Sequence, residues 1–298
     1  MYRIKNITAL LLLLLLSSQM NAQLKDAKHV LLIGVDGLGA YAIPQAEMPH
    51  LKSLMTKGSS SFEARSVLPS SSAVNWASML MGAGPTFHGY TEWGSQVPEI
   101  PSIETTKNNL FPSIFSLIKN QVPDAKTAAI YSWGGIGYLL EKDVIDFVIP
   151  TKDDETLTVS EASRIIKDHQ PLFTFVHLSE PDNVGHGIGH DTPEYYAELK
   201  KVDERIGKLI AAVKEAGIEN ETIIMVTADH GGIDKGHGGK SLVEVQIPWI
   251  IAGPGIIQNQ KLDSSIVTYD TAATIAFILG LEMPQVWRGQ AIKEVFKP

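Results

Sequence analysis

Short apolar runs punctuate the chain at His29 to Val35, Thr127 to Tyr131, Val144 to Val148, Leu172 to Leu178, Thr222 to Thr227 and Pro248 to Ile251. Runs of this length, bounded by turn-forming or charged residues, predict strands buried in a sheet. Between them, apolar positions recur at helical spacing over Met48 to Lys57, Leu110 to Lys119, Thr158 to Asp168, Pro193 to Ala216 and Asp270 to Leu279. Strands alternating with helices predict an α/β fold with a mainly parallel sheet. There is no internal repeat and no Pro/Ser-rich linker, so residues 23–298 read as one domain. In such sheets ligands bind beyond the carboxyl ends of the strands. That rule singles out Asp36 after the first run, Asp182 after the fourth, and Asp229-His230 after the fifth.

The first residues follow a different pattern. Arg3 and Lys5 precede an unbroken apolar run from Ala9 to Leu16, and a polar, small-residue stretch ends at Ala22. The run is too short to span a bilayer, which takes roughly 20 apolar residues. Residues 1–22 therefore read as a cleaved signal peptide, and the expected location is secreted or periplasmic, without a stable membrane anchor. Hydrophobic content of 44% is ordinary for a chain with a large core. There is no cysteine, so disulfides are excluded and a metal site must use imidazole and carboxylate. Net charge is −8, with no basic stripe, which argues against a nucleic-acid polymer as partner. An acidic chain that handles a small anion needs local positive charge, which bound cations supply.

Five of the nine histidines fall between His177 and His237. In Glu180-Pro181-Asp182-Asn183-Val184-Gly185-His186, the aspartate and histidine are four apart, a spacing that puts both on one face of a helical turn. Asp229 and His230 are adjacent where a strand ends. Asp36 lies in Gly34-Val35-Asp36-Gly37, where glycines let the backbone turn and approach a ligand. Any one of these alone is commonly a cap or turn residue. Together, at three strand ends, they predict a site for divalent cations. Two cations about 3.5–4 Å apart form a clamp for in-line displacement at phosphorus.

These stretches resemble the alkaline phosphatase superfamily, and within it the nucleotide pyrophosphatase/phosphodiesterase branch. Leu31 to Gly37 resembles its opening strand and metal aspartate, and Met48 to Leu54 the helix that follows. Glu180-Pro181-Asp182 through His186 and Val226 to Gly231 resemble its two metal motifs, and Tyr269 to Leu281 its closing helix. The resemblance implies a three-layer α/β/α sandwich, here with a reduced cap. It implies two divalent ions, zinc being favoured by mixed Asp/His ligands. One is held by Asp36, Asp229 and His230, the other by Asp182, His186 and a further histidine. His237 is the expected third ligand, and His190 is the alternative.

The family's nucleophile opens a helix, where free N–H groups favour anions. Here that region reads Pro69-Ser70-Ser71-Ser72-Ala73-Val74-Asn75, which aligns Ser72 with the nucleophile and leaves Ser70 and Ser71 as alternatives. As nucleophile, Ser72 also counts among the metal ligands. No Pro and Arg follow in the sulfatase pattern, which disfavours a sulfatase. Where the branch has a phosphate-binding asparagine, this chain has Trp93. Asn75 or Thr91 is the expected replacement donor, and Trp93 a stacking surface for a flat group. His177 or Glu180 is expected to orient a ligand. The implied activity is cleavage of phosphodiesters or nucleotide pyrophosphates, with a small-molecule phosphoester as substrate. A phosphomonoesterase on the same scaffold is the first alternative, and a metal- or ligand-binding protein without turnover the second.

Overall fold

The first apolar run forms the strand on which the rest of the sheet is built. In the computed structural model, which describes residues 27–297, the chain runs through β1 (His29–Val35), α1 (Pro49–Lys57), β2 (Gly58–Arg65), α2 (Ser72–Met81) and α3 (Pro85–His88). It continues through α4 (Ile114–Gln121), β3 (Thr127–Tyr131), β4 (Phe147–Pro150), α5 (Glu155–His169), β5 (Phe173–Leu178) and α6 (Asp182–Gly187). The last elements are α7 (Pro193–Glu215), β6 (Thr222–Thr227), α8 (Leu242–Val245), β7 (Gln246–Ala252), β8 (Gln260–Lys261) and α9 (Asp270–Ile278). The leader assigned to residues 1–22 lies outside the described residues. Among those described, no helix is long and apolar enough to cross a membrane.

The eight strands form one sheet in the order β4-β3-β5-β1-β6-β7-β2-β8. Only β7 runs against the others, pairing antiparallel with both β6 and β2. β1 lies between β5 and β6, parallel to each. The chain leaves β1 for both halves of the sheet, and the crevice this creates lies at the carboxyl ends of β5, β1 and β6. Because β2 points the same way, its carboxyl end leads the chain to the same edge, toward Ser72. The helices sort into two sets that pack among themselves. α1, α5 and α7 form one, and α2, α4 and α9 the other. One set on each face gives the three-layer sandwich.

Local chemistry explains several boundaries. α7 starts where the Thr192 hydroxyl accepts the Tyr195 N–H and Pro193 occupies the first turn. α5 begins three residues before the apolar periodicity does, because the Asp154 carboxylate caps it through the Leu157 N–H. The run at Val144 to Val148 is a correction. Lys142–Val144 forms a 3₁₀ turn, and the strand is shifted to Phe147–Pro150. β2, with the sequence GSSSFEAR, carries no apolar alternation. Its polar side chains are satisfied locally, as when the Ser59 hydroxyl donates to the Ile257 carbonyl at 2.9 Å. α2 has no solvent-exposed face, because all ten of its residues are buried.

Candidate metal centre

Two groups of ligand-type side chains converge at the crevice. Asp36, Asp229 and His230 form one, and Asp182, His186 and His237 the other; within each group the ligand atoms lie within 4.8 Å of one another. The first group comes from the ends of β1 and β6, and the second from α6 and the loop after β6. Gly37 brings Asp36 and Asp182 together. It turns with φ +70°, and a Cβ there would lie 2.7 Å from the Asp182 side chain. The Tyr195 hydroxyl of α7 pins this turn by donating to the Gly37 carbonyl at 2.7 Å.

The histidines are oriented alike. Nδ1 of His186 faces the Lys235 carbonyl at 3.0 Å, that of His230 the Gly231 carbonyl at 2.8 Å, and that of His237 the Ser70 carbonyl at 3.0 Å. A carbonyl only accepts, so each Nδ1 carries the hydrogen and each Nε2 presents a lone pair. Two of the aspartates are likewise half satisfied. Oδ2 of Asp36 accepts from Trp76 Nε1 at 3.1 Å and from His177 Nε2 at 3.0 Å, while its buried Oδ1 has no hydrogen-bond partner. Oδ1 of Asp229 accepts the Gly37 N–H at 3.2 Å, and its buried Oδ2 has none. Orphaned carboxylate oxygens beside imidazole lone pairs are the donor set of a hard or borderline divalent cation, so the residues fit one in each group.

Electrostatics agree. Burial, with Asp36 next, pushes the Asp229 carboxyl well above the carboxylate range. Burial, followed by the nearby His237, pulls His230 down to about 3, which keeps its imidazole neutral and able to coordinate. His186 differs: hydrogen bonding to Asp182 raises it above the usual histidine value, so a cation there would have to displace a proton from Nε2. Without cations the site is an unbalanced cluster of buried acids.

Ser72 is the first residue of α2, and its Oγ lies 3.2 Å from His230 Nε2. It lines a cavity of about 140 Å³ together with Asp36, Asp182, His186 and His237. The Ser70 hydroxyl is committed to the Gly239 carbonyl at 2.6 Å, and Ser71 is the N-cap residue of α2. Trp93 lines the cavity and remains 66% exposed. Asn75 and Thr91 do not reach it. The Asn75 amide is buried and bonded to Val67, Pro69 and Ser71, so it shapes the loop that delivers Ser72. The Thr91 hydroxyl donates to Glu99 at 3.2 Å. His190 is buried, with Nε2 3.9 Å from Asp182 Oδ1, outside the converging group.

His177 orients Asp36, whereas Glu180 accepts the Val184 N–H at 3.2 Å and so serves α6. Burial pushes the Glu180 carboxyl up to about 7. Trp76, Trp133, Ser179 and Asn183 were not foreseen. Trp133 lies two residues beyond β3 and Ser179 one beyond β5, and both line the cavity with Asn183, so the strand-end rule applied to every strand would have found these two. Nothing in the sequence pattern marks Trp76, whose role depends on how α2 packs on the sheet.

A family model described as type I phosphodiesterase / nucleotide pyrophosphatase matches residues 30–237, a span that holds both triads and Ser72. Among curated relatives, bis(5'-adenosyl)-triphosphatase ENPP4 of Bos taurus is 23% identical over 237 residues, covering 74% of this chain and 52% of the relative. Arylsulfatase K of Bos taurus is 31% identical over 112 residues, covering 35% of this chain and 21% of the relative. The chain thus spans about half the length of the first of these relatives and about a fifth of the second. Among solved structures, an inactive form of murine ectonucleotide pyrophosphatase/phosphodiesterase 5 in complex with AMP superimposes with a TM-score of 0.75. It is 16% identical and is matched over 91% of this chain and all of that one, a likeness that establishes the alkaline phosphatase-like fold. The extent of the family match decides the assignment: the chain belongs to the type I phosphodiesterase / nucleotide pyrophosphatase family.

Proposed function

We propose that the protein is an exported, metal-dependent phosphohydrolase that cleaves phosphodiesters or nucleotide pyrophosphates through a covalent intermediate on Ser72. The observation that carries this reading is Ser72 Oγ beside His230 of one acid/imidazole triad, in a cavity lined also by Asp36 of that triad and by all three members of the other. Asp36, Asp229 and His230 would hold one divalent ion and Asp182, His186 and His237 the other, zinc being the best match to these donors. When bound, the ions lower the pKa of the serine hydroxyl and neutralise charge on the phosphoryl oxygens.

The chain's own residues do the rest. The start of α2 fixes Ser72 at the cavity wall, and the Asn75 amide holds the preceding loop. Ser72 Oγ attacks phosphorus as the bond to the leaving oxygen breaks. Water then attacks phosphorus in the seryl phosphodiester, releasing a phosphomonoester and returning a proton to the Ser72 hydroxyl. No lysine or arginine is among the described residues lining the cavity. A diester carries one negative charge at the reacting phosphorus and is matched by two cations and neutral donors. A monoester dianion asks for a further positive group, which favours the diester. Trp93 and Trp133 on the rim offer flat faces to the leaving group.

The test compares zinc-loaded protein on bis(p-nitrophenyl) phosphate, p-nitrophenyl phosphate and a p-nitrophenyl nucleotide ester. The diesters are expected to turn over faster, and Ser72→Ala to lower kcat at least about 10³-fold with zinc still bound. A preference for the monoester replaces this reading with a phosphomonoesterase. Equal rates for wild type and Ser72→Ala on every ester leave a binding protein without turnover.

A further inference from the structure

In the metal centre, Asp36 and Asp229 each have one oxygen fixed by a protein donor and the other bare. Asp182 breaks the pattern. Its Oδ2 lies 3.4 Å from His186 Nε2, an atom whose lone pair points at the cavity, and its Oδ1 has no partner. The atom best placed to supply one is Nε2 of His190, at 3.9 Å. That imidazole is itself anomalous, since its side chain is fully buried and neither ring nitrogen has a hydrogen-bond partner. Two unsatisfied polar groups facing each other in a buried place are costly apart and complementary together.

The surroundings are built to admit the ring. A Cβ on Gly185 would lie 2.4 Å from His190 Nε2, and one on Gly232 would lie 2.2 Å from it. Both glycines belong to ligand-bearing segments, one between Asp182 and His186 and the other just after His230. The backbone N–H of His190 donates to the Asp234 carbonyl at 2.6 Å, which anchors the residue to the second segment. His177 supplies the precedent within the molecule. It too is buried, its Nε2 bonds an oxygen of Asp36, and its Nδ1 has no partner.

We propose that His190 is a positioning residue for Asp182, donating Nε2–H to Oδ1 so that Oδ2 faces the cation shared with His186 and His237. This rests on the metal-dependent reading above. Such outer contacts typically change metal affinity by about 10–100-fold.

The test measures zinc affinity by chelator competition in an Asp229→Asn background, which isolates the Asp182 group, and does not depend on turnover. His190→Phe fills the glycine cradle without a donor and should weaken zinc by about 10–100-fold, while His190→Gln, which keeps an N–H, should restore most of it. In zinc-loaded protein with the native His190, the ¹⁵N shifts should show the hydrogen on Nε2. Wild-type affinity in His190→Phe, a His190→Gln variant as weak as Phe, or a hydrogen on Nδ1 would each overturn the assignment. The nitrogen shifts decide the matter even if a variant does not fold. If the native sequence binds no zinc at all, the metal-dependent reading itself has failed and this inference falls with it.

Discussion

Metal-free Asp229→Asn protein should be more stable than metal-free wild type, although the substitution removes a ligand. The ligand oxygens of Asp36 and Asp229 lie within 4.8 Å of each other, and both residues are buried. Two unit charges at that separation repel by about 3 kcal/mol at an effective dielectric constant near 20. The amide keeps the bond from the Gly37 N–H, because its Oδ1 still accepts. For a chain of this size, a gain of about 3 kcal/mol raises Tm by roughly 5–10 °C.

The effect has a sign in pH. Burial and Asp36 raise the Asp229 pKa in the folded state, so the folded protein binds the extra proton. That contribution is complete below the ordinary carboxylate range and is lost as pH rises toward the folded value. The advantage of Asp229→Asn should therefore grow as pH rises from the ordinary carboxylate range toward the raised folded value. Thermal melts followed by circular dichroism in excess chelator measure it. Adding zinc should reverse the order, since a ligand at about 100 times its Kd stabilises the wild type by about 2.7 kcal/mol. A metal-free variant less stable than wild type at the higher pH would refute the repulsion on which the metal assignment of this group rests.

Acid should cost stability through His88. Its Nδ1 accepts the Tyr90 N–H at 3.1 Å, and its Nε2 contacts the Ser78 hydroxyl at 2.9 Å, so a proton on Nδ1 would face another donor. Burial holds its pKa at about 3, below the unfolded value, so stability is lost as pH falls from the ordinary histidine value toward 3. Urea unfolding of metal-free wild type should show about 2 kcal/mol more loss than His88→Gln between about pH 6.5 and pH 5, and equal losses would contradict this. Asn75→Ala should cost about 2–3 kcal/mol by leaving loop groups around Val67 and Ser71 unpaired, and should lower kcat more than it changes zinc affinity. Unchanged kcat would mean that the loop does not set the position of Ser72.

The alternation of apolar runs with helical spacing located β1, β3, β5, β6 and most of the large helices, because those strands are buried on both faces and the helices are amphipathic. It failed at β2, whose serines are satisfied by hydrogen bonds, and at α2, which is buried on every side. The strand-end rule found Asp36, Asp182, Asp229 and His230, the family resemblance supplied Ser72, and the glycine-flanked loop near His230 supplied His237. Asp36, Ser72, Asp182 and His237 line the cavity, and Asp229 and His230 are grouped with Asp36 beside it. What spacing could not convey is orientation. The three carbonyls that fix the histidines, the Trp76 and His177 bonds to Asp36, and the inward commitment of the Asn75 amide all depend on how separate segments pack.

The most direct test is a crystal of zinc-loaded protein with anomalous scattering recorded across the zinc edge. The account predicts two peaks per chain, one among Asp36, Asp229 and His230 and the other among Asp182, His186 and His237, with Ser72 Oγ beside the first. A single ion, or ions bound away from these six side chains, would contradict it.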